Sequence, residues 1–261
     1  MSKMKKPFTF PSFFWKIVFI AIALIVWEIV ARSQVFSSFI FPSISATLKY
    51  AINNYGRLLE ATWNTLKLLI FGLSVSCLIA LAIGALGSLS TKIKTTMETV
   101  VSILNPIPSI SMLPFAILWF GLGEDPIVFV TVMAGFCPFL INVTNGFNTI
   151  NKNWLDVGRN YGLRGLSLVR HITLPASLPH ILAGFRTAWG ASWRTVVAAE
   201  LVFGAVGGKG GLGWLIYMNR FQLNAAGMLA ALICISLIGI LAENILELIE
   251  NRTVKKWGMK K

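Results

Sequence analysis

The stretch DVGRNYGLRGLSLVRHITLPASLPH spans residues 156–180 and forms a polar, basic island between long apolar runs. Asp156 is followed six residues later by Gly162, and the segment Ile-Thr-Leu-Pro begins ten residues after that glycine, at Ile172. Connecting segments lie on protein surfaces and often carry binding residues. The island is therefore a candidate docking surface in a chain that is otherwise strongly apolar.

The island is expected to fold as two short helices joined by a tight turn. Residues 154–161 are predicted to form the first helix, because Gly162 supplies the left-handed conformation with which helices commonly end. A second, basic segment over 164–171 follows, and Leu174-Pro175 is predicted to end it before the chain re-enters the membrane. The apolar side chains of such a knob could fill a groove on another protein. They are Leu163, Leu166 and Val169. A solvated connecting loop is the alternative.

The composition of the chain is that of a membrane protein. Of its 261 residues, 56% are hydrophobic and 13% are charged, whereas about 25% charged residues is usual for a soluble domain. The mean hydropathy of +0.73 agrees. A span of lipid bilayer takes about 20 apolar residues, so the chain has room for several spans and is predicted to be an all-α, polytopic membrane protein.

About six transmembrane helices are predicted from the apolar segments. The first is expected to be a retained span, since it is long and no small-x-small cleavage site follows it. The segments are 14–30, 62–86, 100–119, 127–147, 182–203 and 225–249.

Basic residues are distributed unevenly between the two sides of the membrane. If consecutive segments cross it alternately, fourteen Lys and Arg residues flank them on one side and five on the other. Because cytoplasmic loops accumulate positive charge, both termini and the island are predicted to be cytoplasmic. The accumulation of basic residues on the cytoplasmic side then explains the net charge of +13. Nucleic-acid binding is disfavoured, because the basic residues do not form one face of a folded domain.

Small residues recur every fourth position in the second segment, which predicts close helix packing there. Packing within one subunit is favoured, and a dimer interface is the alternative. The residues are Gly72, Ser76, Ala80, Gly84 and Ser88.

The third segment begins NPIPSISMLP, and its prolines predict a broken helix. Pro106, Pro108 and Pro114 each remove a backbone donor and clash with the preceding turn. Irregular backbone at membrane depth needs cover from protein or a water-filled cavity. A pore-lining element of the kind that transporters use is one interpretation, with Pro106, Pro108 and Met112 as candidates, and a kinked packing helix is the other.

The fifth segment holds two ionisable residues far from either of its ends, Arg194 and Glu200. Intramembrane charge is costly unless it faces protein or water, so such residues are functional candidates. Arg194 with Trp189 and Trp193 forms one candidate pore surface, where a guanidinium suits an anionic group; Glu200 is a further candidate. The alternative is structural, with Arg194 bonded to Glu200 across a dimer or to backbone carbonyls.

No catalytic or metal site is predicted. The glycine cluster GAVGGKGGLG, residues 204–213, fails as a phosphate loop, because Gly210 and not Ser or Thr follows Lys209, and Phe203 replaces the first glycine. The histidines and cysteines lack the spacing of a metal site; they are His171, His180, Cys77, Cys137 and Cys234. No cofactor is therefore expected on this chain.

The island resembles the cytoplasmic loop by which permease subunits of ABC importers grip their ATPase partners. The usual pattern is an acidic residue and two small ones, three variable residues, a glycine, nine variable residues and then Ile-x-Leu-Pro. Here Asp156 replaces the usual glutamate, and Val157 and Gly158 occupy the small positions. Gly162 and the Ile-x-Leu-Pro end fall in register.

Two other stretches extend the resemblance over about residues 60–250: NPIPSISMLPFAILWFGLGEDP and SWRTVVAAELVFGAVGGKGGLGWLI. The second resembles the nitrate, sulfonate and taurine branch, in which an Ala-Glu pair, here Ala199-Glu200, is followed by a Gly-Leu-Gly turn, here residues 211–213. The resemblance implies the type I permease fold. It divides the chain into 1–60 (tail, first span and external connection), 61–250 (permease core) and 251–261 (basic tail).

The resemblance also implies the partners. Two cytoplasmic ATPase subunits, which use ATP and Mg²⁺, would grip the islands of a permease homodimer, and an external binding protein would deliver substrate for alternating access. The predicted ATPase-coupling residues are Asp156, Gly158, Gly162, Leu163, Leu166, Val169, Ile172, Leu174 and Pro175.

The branch implies a small anion such as a sulfonate, taurine or nitrate as substrate. The same importer type for a pyrimidine, riboflavin or another aromatic compound is the alternative. An ATP-independent secondary carrier is a third possibility, but such carriers usually show inverted repeats with matched broken helices, and none is evident in this sequence.

Overall fold

The structure, a computed structural model, describes residues 12–33, 35, 37, 39–203 and 210–256. The N-terminal lysines, Lys209 with most of the glycine cluster, and the last two lysines lie outside these residues. The described part is helical, and its helices are α1 (Ser12–Arg32), α2 (Ile44–Asn53), α3 (Tyr55–Leu89), α4 (Thr91–Leu104), α5 (Leu113–Phe120), α6 (Asp125–Asn148), α7 (Lys152–Asn160), α8 (Gly165–Leu168), α9 (Leu174–Ala176), α10 (Leu178–Phe203), α11 (Leu212–Phe221) and α12 (Ala225–Lys256).

Five of the six predicted segments fall on one helix each, and the third falls on α4, a stretch that is not α-helical and α5. By length and composition, α3, α6 and most of α12 can each cross a membrane, and the bent pair of α4 with the helical stretch 109–120 would make a fourth span among the described residues. Two predicted segments lie on helices outside this set, the first on α1 and the fifth on α10. In α10, the arginines, the glutamate and several small polar residues lower the hydropathy.

The core of the subunit is built where α3 and α10 pack on α6. Gly72 and Gly84 on α3 face Thr131 and Val143 on α6, and a Cβ atom at either glycine would lie within 3 Å of those side chains. On the α10 side, Gly184 approaches Asn142 in the same way. Small residues thus permit close backbone approach, and the predicted stripe on α3 serves packing within one subunit from Gly72 to Gly84, whereas Ser88 is exposed.

The third predicted segment is broken, as its prolines indicated. α4 ends at Leu104, and the chain becomes extended by Pro108. It then makes a short 3₁₀ turn at Ser109–Met112 and continues as α5, with an 87° bend between the two parts. Pro114 lies in the first turn of α5, where a missing backbone donor removes no helical hydrogen bond. We call residues 105–112 the elbow.

The first helix is tied to the second by one carboxylate. Glu28 binds Arg32 on its own helix at 2.8 Å and accepts from the backbone N–H of Ile44 at 2.8 Å and the hydroxyl of Ser45 at 2.8 Å. Trp27 donates to the carbonyl of Pro42 at 3.0 Å. Glu28, for which the sequence indicated no role, therefore fixes the start of α2 against α1, because a carboxylate is stabilising at a helix N-terminus.

Candidate functional site

The first helix of the island is α7, and it ends where the sequence predicted. Gly162 has a φ of +81°, its N–H donates to the carbonyl of Arg159 at 2.9 Å, and the N–H of Leu163 donates to the carbonyl of Gly158 at 3.0 Å. This pair of bonds is the Schellman motif, which satisfies the last carbonyls of a helix and needs a left-handed residue. The predicted helix stop at Gly162 is confirmed.

The second part of the island differs from the prediction. Leu174-Pro175 does not end a helix: α8, a π-helical turn at Val169–Thr173 and α9 follow one another without a break as far as Ala176. Pro175, which has no N–H to donate, lies inside this continuous stretch and directly after the π-helical turn. The break comes at Ser177, whose N–H donates to the carbonyl of Thr173 at 3.0 Å, and α10 begins at the next residue.

Gly158 joins the two arms of the island. It is buried, and a Cβ atom at this position would lie 2.7 Å from Leu168 Cδ1 and 3.0 Å from Ile172 Cγ1. A side chain there would therefore push the arms apart. Gly158 has this role because only a residue without a side chain lets α7 lie directly on the second arm.

The exposed apolar surface of the island is not the one predicted. Leu166 is 65% exposed, but Val169 is only 4% exposed and packs inside the subunit, so Val169 cannot reach a partner's groove. Leu163 is half-buried, as are Ile172, Leu174 and Pro175. Asp156 is exposed and pairs with Arg159 at 2.9 Å.

Three exposed apolar residues were missed: Trp154 and Val157 on α7, and Tyr161, the C-cap of this helix, which is 84% exposed. Their spacing of three and four residues places them on one face of a helix, and this spacing is the signal that would have identified them. Together with Leu166 they are the exposed large apolar residues of the island, and we call this set the knob face.

Glu200 lies inside the subunit and not on a surface that could face a pore. It is 2% exposed, and its Oε2 accepts from the hydroxyl of Thr65 at 2.9 Å and from the N–H of Gly213 at 2.9 Å. The Thr65 hydroxyl in turn accepts from the N–H of Leu212 at 2.8 Å. The carboxylate thus joins α10 to α3 and to the start of α11, a structural role that overturns its placement among pore-lining residues.

The glycines after the described end of α10 are needed by this arrangement. A Cβ atom at Gly211 would overlap the carboxylate of Glu200 and the hydroxyl of Thr65, and one at Gly213 would overlap the carbonyl of Val197. The Gly-Leu-Gly turn at 211–213 is therefore a close backbone contact around a buried carboxylate, which we call the Glu200 latch. Thr65 was missed because it is 135 residues from Glu200 in the sequence.

The tryptophans of α10 are core residues to different degrees. Trp193 is 7% exposed and lies against Gly239 of α12, where an added Cβ would be 3.4 Å from its Nε1. Its expected position on a pore surface is therefore wrong. Trp189 is half-buried, and its buried Nε1 has no acceptor among the described residues.

Arg194 has a different environment. It is exposed on the subunit surface, and within the described residues its guanidinium makes no hydrogen bond or ion pair. Thr187 and Leu201, one heptad before and after it, are also exposed, and Gly190 and Ala198 lie between them. We call this stripe the α10 face. It presents one cation on a helix surface that is otherwise small and apolar.

At the elbow, Pro106 and Pro108 are exposed and Met112 is half-buried. No cluster of three or more His, Cys, Asp or Glu side chains that could hold a metal ion occurs in the part of the chain that the structure describes.

Known proteins resemble this chain in sequence. A family profile described as "Binding-protein-dependent transport system inner membrane component" matches residues 78–255. A putative ABC transporter permease protein of Methanocaldococcus jannaschii is 30% identical over 91% of this chain and 90% of its own length. The taurine transport system permease protein TauC of Escherichia coli is 26% identical over 89% of this chain and 86% of its own length.

A putative aliphatic sulfonates transport permease protein, SsuC of Escherichia coli, is 32% identical over 62% of this chain and 60% of its own length. Among solved structures, an inward-facing MetNI methionine ABC transporter superposes with a TM-score of 0.63 at 22% identity, over 75% of this chain and 95% of the other. That likeness confirms the permease fold. The chain belongs to the family of binding-protein-dependent transport system inner membrane components, the permease subunits of ABC importers.

Proposed function

We propose that this permease subunit imports a small sulfonate-type anion, and that Arg194 contacts the anion in the membrane. The observation that carries the proposal is the exposed guanidinium on the α10 face, which has no partner among the described residues. A charged side chain facing lipid costs about 2.5–3.5 kcal/mol or more at the centre of a membrane helix. The α10 face must therefore be covered by protein or by a water-filled path, and a guanidinium in such a path suits an oxyanion.

Two copies of the chain would provide that cover. If the α10 faces of a homodimer meet around a shared path, each copy contributes one Arg194 and the two guanidiniums flank the anion. The small residues between the exposed positions leave space beside the arginine for a solute. The names of two relatives, which refer to aliphatic sulfonates and to taurine, favour a sulfonate as the solute.

The elbow is the second part of the proposed path. Backbone that leaves helical geometry in a membrane needs cover from protein or water, and the exposed Pro106 and Pro108 offer backbone carbonyls to such a path. Met112, at the end of the elbow, and the half-buried Trp189 complete the candidate lining.

The island would transmit the work of ATP hydrolysis, which in this family belongs to a separate subunit. We expect one ATPase subunit, with its own ATP and Mg²⁺, on the knob face of each permease copy. Gly158 and Gly162 make the knob rigid, so movement of the ATPase pair would move α6 and α10, between which the island lies. Alternating access would follow, with an external binding protein supplying the anion.

The charge distribution supports an orientation for this multi-pass inner-membrane protein. We propose that both termini and the island are cytoplasmic, in agreement with the positive-inside rule. The permease core would be residues 61–250, preceded by 1–60 with the first span and followed by the basic tail 251–261.

An uptake assay tests the anion proposal. The chain, co-purified from its native membrane with its ATPase, is placed in liposomes, and uptake of radiolabelled taurine and ethanesulfonate is measured with the binding protein outside. Arg194→Gln should lower uptake at least about tenfold, the effect of losing one charge-assisted contact of about 1.5–3 kcal/mol, while ATPase co-purification is unchanged. Arg252→Gln, an exposed arginine near the described end of α12, is the matched control.

Sulfonate uptake by Arg194→Gln at the wild-type rate and apparent affinity would contradict the pore role. Uptake of a neutral aromatic solute, with no uptake of sulfonates by the unmodified chain, would contradict the substrate class.

The island is tested separately through its ATPase. The double variant Gly162→Pro, Leu166→Asp should lose the co-purifying ATPase activity, because it breaks the Schellman motif and places a charge on the knob face. If no ATPase accompanies even the unmodified chain after mild extraction, the docking role is wrong.

A further inference from the structure

A cavity of about 260 Å³ lies behind the island, where the turn between α3 and α4, the end of α6 and both arms of the island meet. Its lining is mixed, with polar and basic residues on one part and apolar residues such as Leu89, Met97 and Phe147 on the rest. Lys94 from α4 and Arg159 from α7 both contribute to the walls, together with Ser90, Thr91 and Asn148, and none of the residues that line it is acidic.

The two cations keep unused hydrogen-bonding capacity. Lys94 Nζ donates to the neutral amide oxygen of Asn148 at 2.8 Å and is 4.0 Å from Glu98, and an ammonium has three donors. Arg159 binds Asp156 through Nη1, which leaves the remaining donors of its guanidinium free for another acceptor. Both cations therefore have donors available to a ligand with several oxygens in the cavity.

The start of α4 adds to the positive potential. Ser90 is the N-cap residue of this 14-residue helix, yet its side chain makes no capping hydrogen bond. The first N–H groups of a helix have no acceptor within the helix, and the helix dipole favours an anion there. Ser90 and Thr91 line the cavity, so the helix start contributes to the same space as Lys94 and Arg159.

From this convergence we propose that the cavity binds a tetrahedral oxyanion, a phosphate or sulfonate group, between Lys94, Arg159 and the start of α4. Guanidinium and ammonium groups and the first N–H groups of a helix are common ligands of phosphate-type oxyanions in proteins. The bound anion links α4 to α7, the arm of the island that carries most of the knob face. It thereby holds the island in position. The proposal does not depend on which solute is transported.

Thermal unfolding of the purified full chain in detergent tests the site. Inorganic phosphate or methanesulfonate, at about ten times its dissociation constant, should raise the unfolding midpoint by about 2–4 °C relative to chloride at equal ionic strength. A short-chain phosphatidylglycerol, compared with the matching phosphatidylcholine, tests a lipid headgroup as the source. A rise with the free anions identifies a small solute, and a rise with phosphatidylglycerol alone identifies the lipid; either result supports the oxyanion site.

Matched variants separate the site from general charge effects. Ser90→Asp and Ser90→Asn both provide good helix caps, but only the aspartate repels an anion, so the rise should be lost in Ser90→Asp and kept in Ser90→Asn. Lys94→Gln should lose it, and Lys92→Gln, which removes an exposed charge outside the cavity, should keep it. An equal rise in Ser90→Asp and Ser90→Asn, or no rise with any of these probes, would overturn the proposal.

Discussion

Glu200 shows how a single side chain can organise three helices. Its Oε2 is the acceptor for both the hydroxyl of Thr65 and the N–H of Gly213, and no part of this cluster is open to solvent. Removing one member of a buried hydrogen-bonded group leaves the others unsatisfied, which costs about 1–3 kcal/mol and more for a charged group. The latch is thus sensitive to changes that would be harmless on the surface.

A methyl group at Gly211 should be enough to disturb the latch. In Gly211→Ala, the new Cβ overlaps the Glu200 carboxylate and the Thr65 hydroxyl, and we expect destabilisation by about 1–3 kcal/mol, as for other overpacked cores. The measurement is denaturant unfolding in detergent. Gly56→Ala is the control, since a Cβ at Gly56 meets nothing within 4 Å. Equal stabilities of the two variants would show that the turn can shift at no cost.

Loss of the Thr65 hydroxyl tests the same latch from the side of α3. Thr65→Val keeps the shape of the side chain but leaves the Leu212 N–H without its acceptor and Glu200 without one of its donors. We expect a loss of about 1–3 kcal/mol in the free energy of unfolding. Thr95→Val, which removes an exposed hydroxyl on α4, should leave stability nearly unchanged. A wild-type unfolding curve for Thr65→Val would mean that water replaces the hydroxyl.

Among the elements, the island depends most on one close contact, that of Gly158 with Leu168 and Ile172. In Gly158→Leu the arms must separate, because the Cβ alone would lie 2.7 Å from Leu168. We expect faster proteolytic cleavage within 154–176 and a loss of co-purifying ATPase by at least about tenfold, equivalent to 1.4 kcal/mol of docking free energy. Asn160→Leu adds the same side chain at an exposed position of α7 and should change neither. Retention of both properties by Gly158→Leu would show that the arms need not touch.

Much of this element could be predicted from the sequence, because its signals are local. The helix stop at Gly162 depends on one residue type and its neighbours, and the elbow depends on three prolines within ten residues. The burial of Val169 could not be predicted, since it depends on how the island packs on the rest of the subunit. The π-helical turn also gave no local signal, and the predicted end at Leu174-Pro175 was wrong for that reason.

At the scale of the whole molecule, hydropathy located the six helical segments, and the small residues of α3 indicated how they pack. The positions of charged side chains were harder to predict. Arg194 and Glu200 are both ionisable and six residues apart, but one is exposed and the other is buried, because the partners of Glu200 come from distant parts of the chain. The helical spacing of ionisable residues along a sequence does not show whether a side chain is buried, as in the Glu200 latch, or lies on a surface that can line a pore.

The proposed orientation can be measured by labelling single cysteines. With the three native cysteines replaced by serine, Tyr161→Cys on the island and Leu122→Cys after α5 introduce thiols at positions that are 84% and 80% exposed. A membrane-impermeant maleimide added to intact spheroplasts should label only Leu122→Cys, and both variants should react once the chain is purified free of its ATPase. Labelling of Tyr161→Cys in intact spheroplasts would reverse the orientation.

The π-helical turn at Val169–Thr173 has a consequence for how such chains can change in evolution. A π turn corresponds to an α-helix with one inserted residue, so deleting a residue between Gly162 and Leu174 would restore α geometry and rotate Leu166 by about 100° relative to α10. We therefore expect the length of this interval to be constrained independently of its composition. Side chains can vary along it, whereas single-residue insertions and deletions would turn the knob away from its partner.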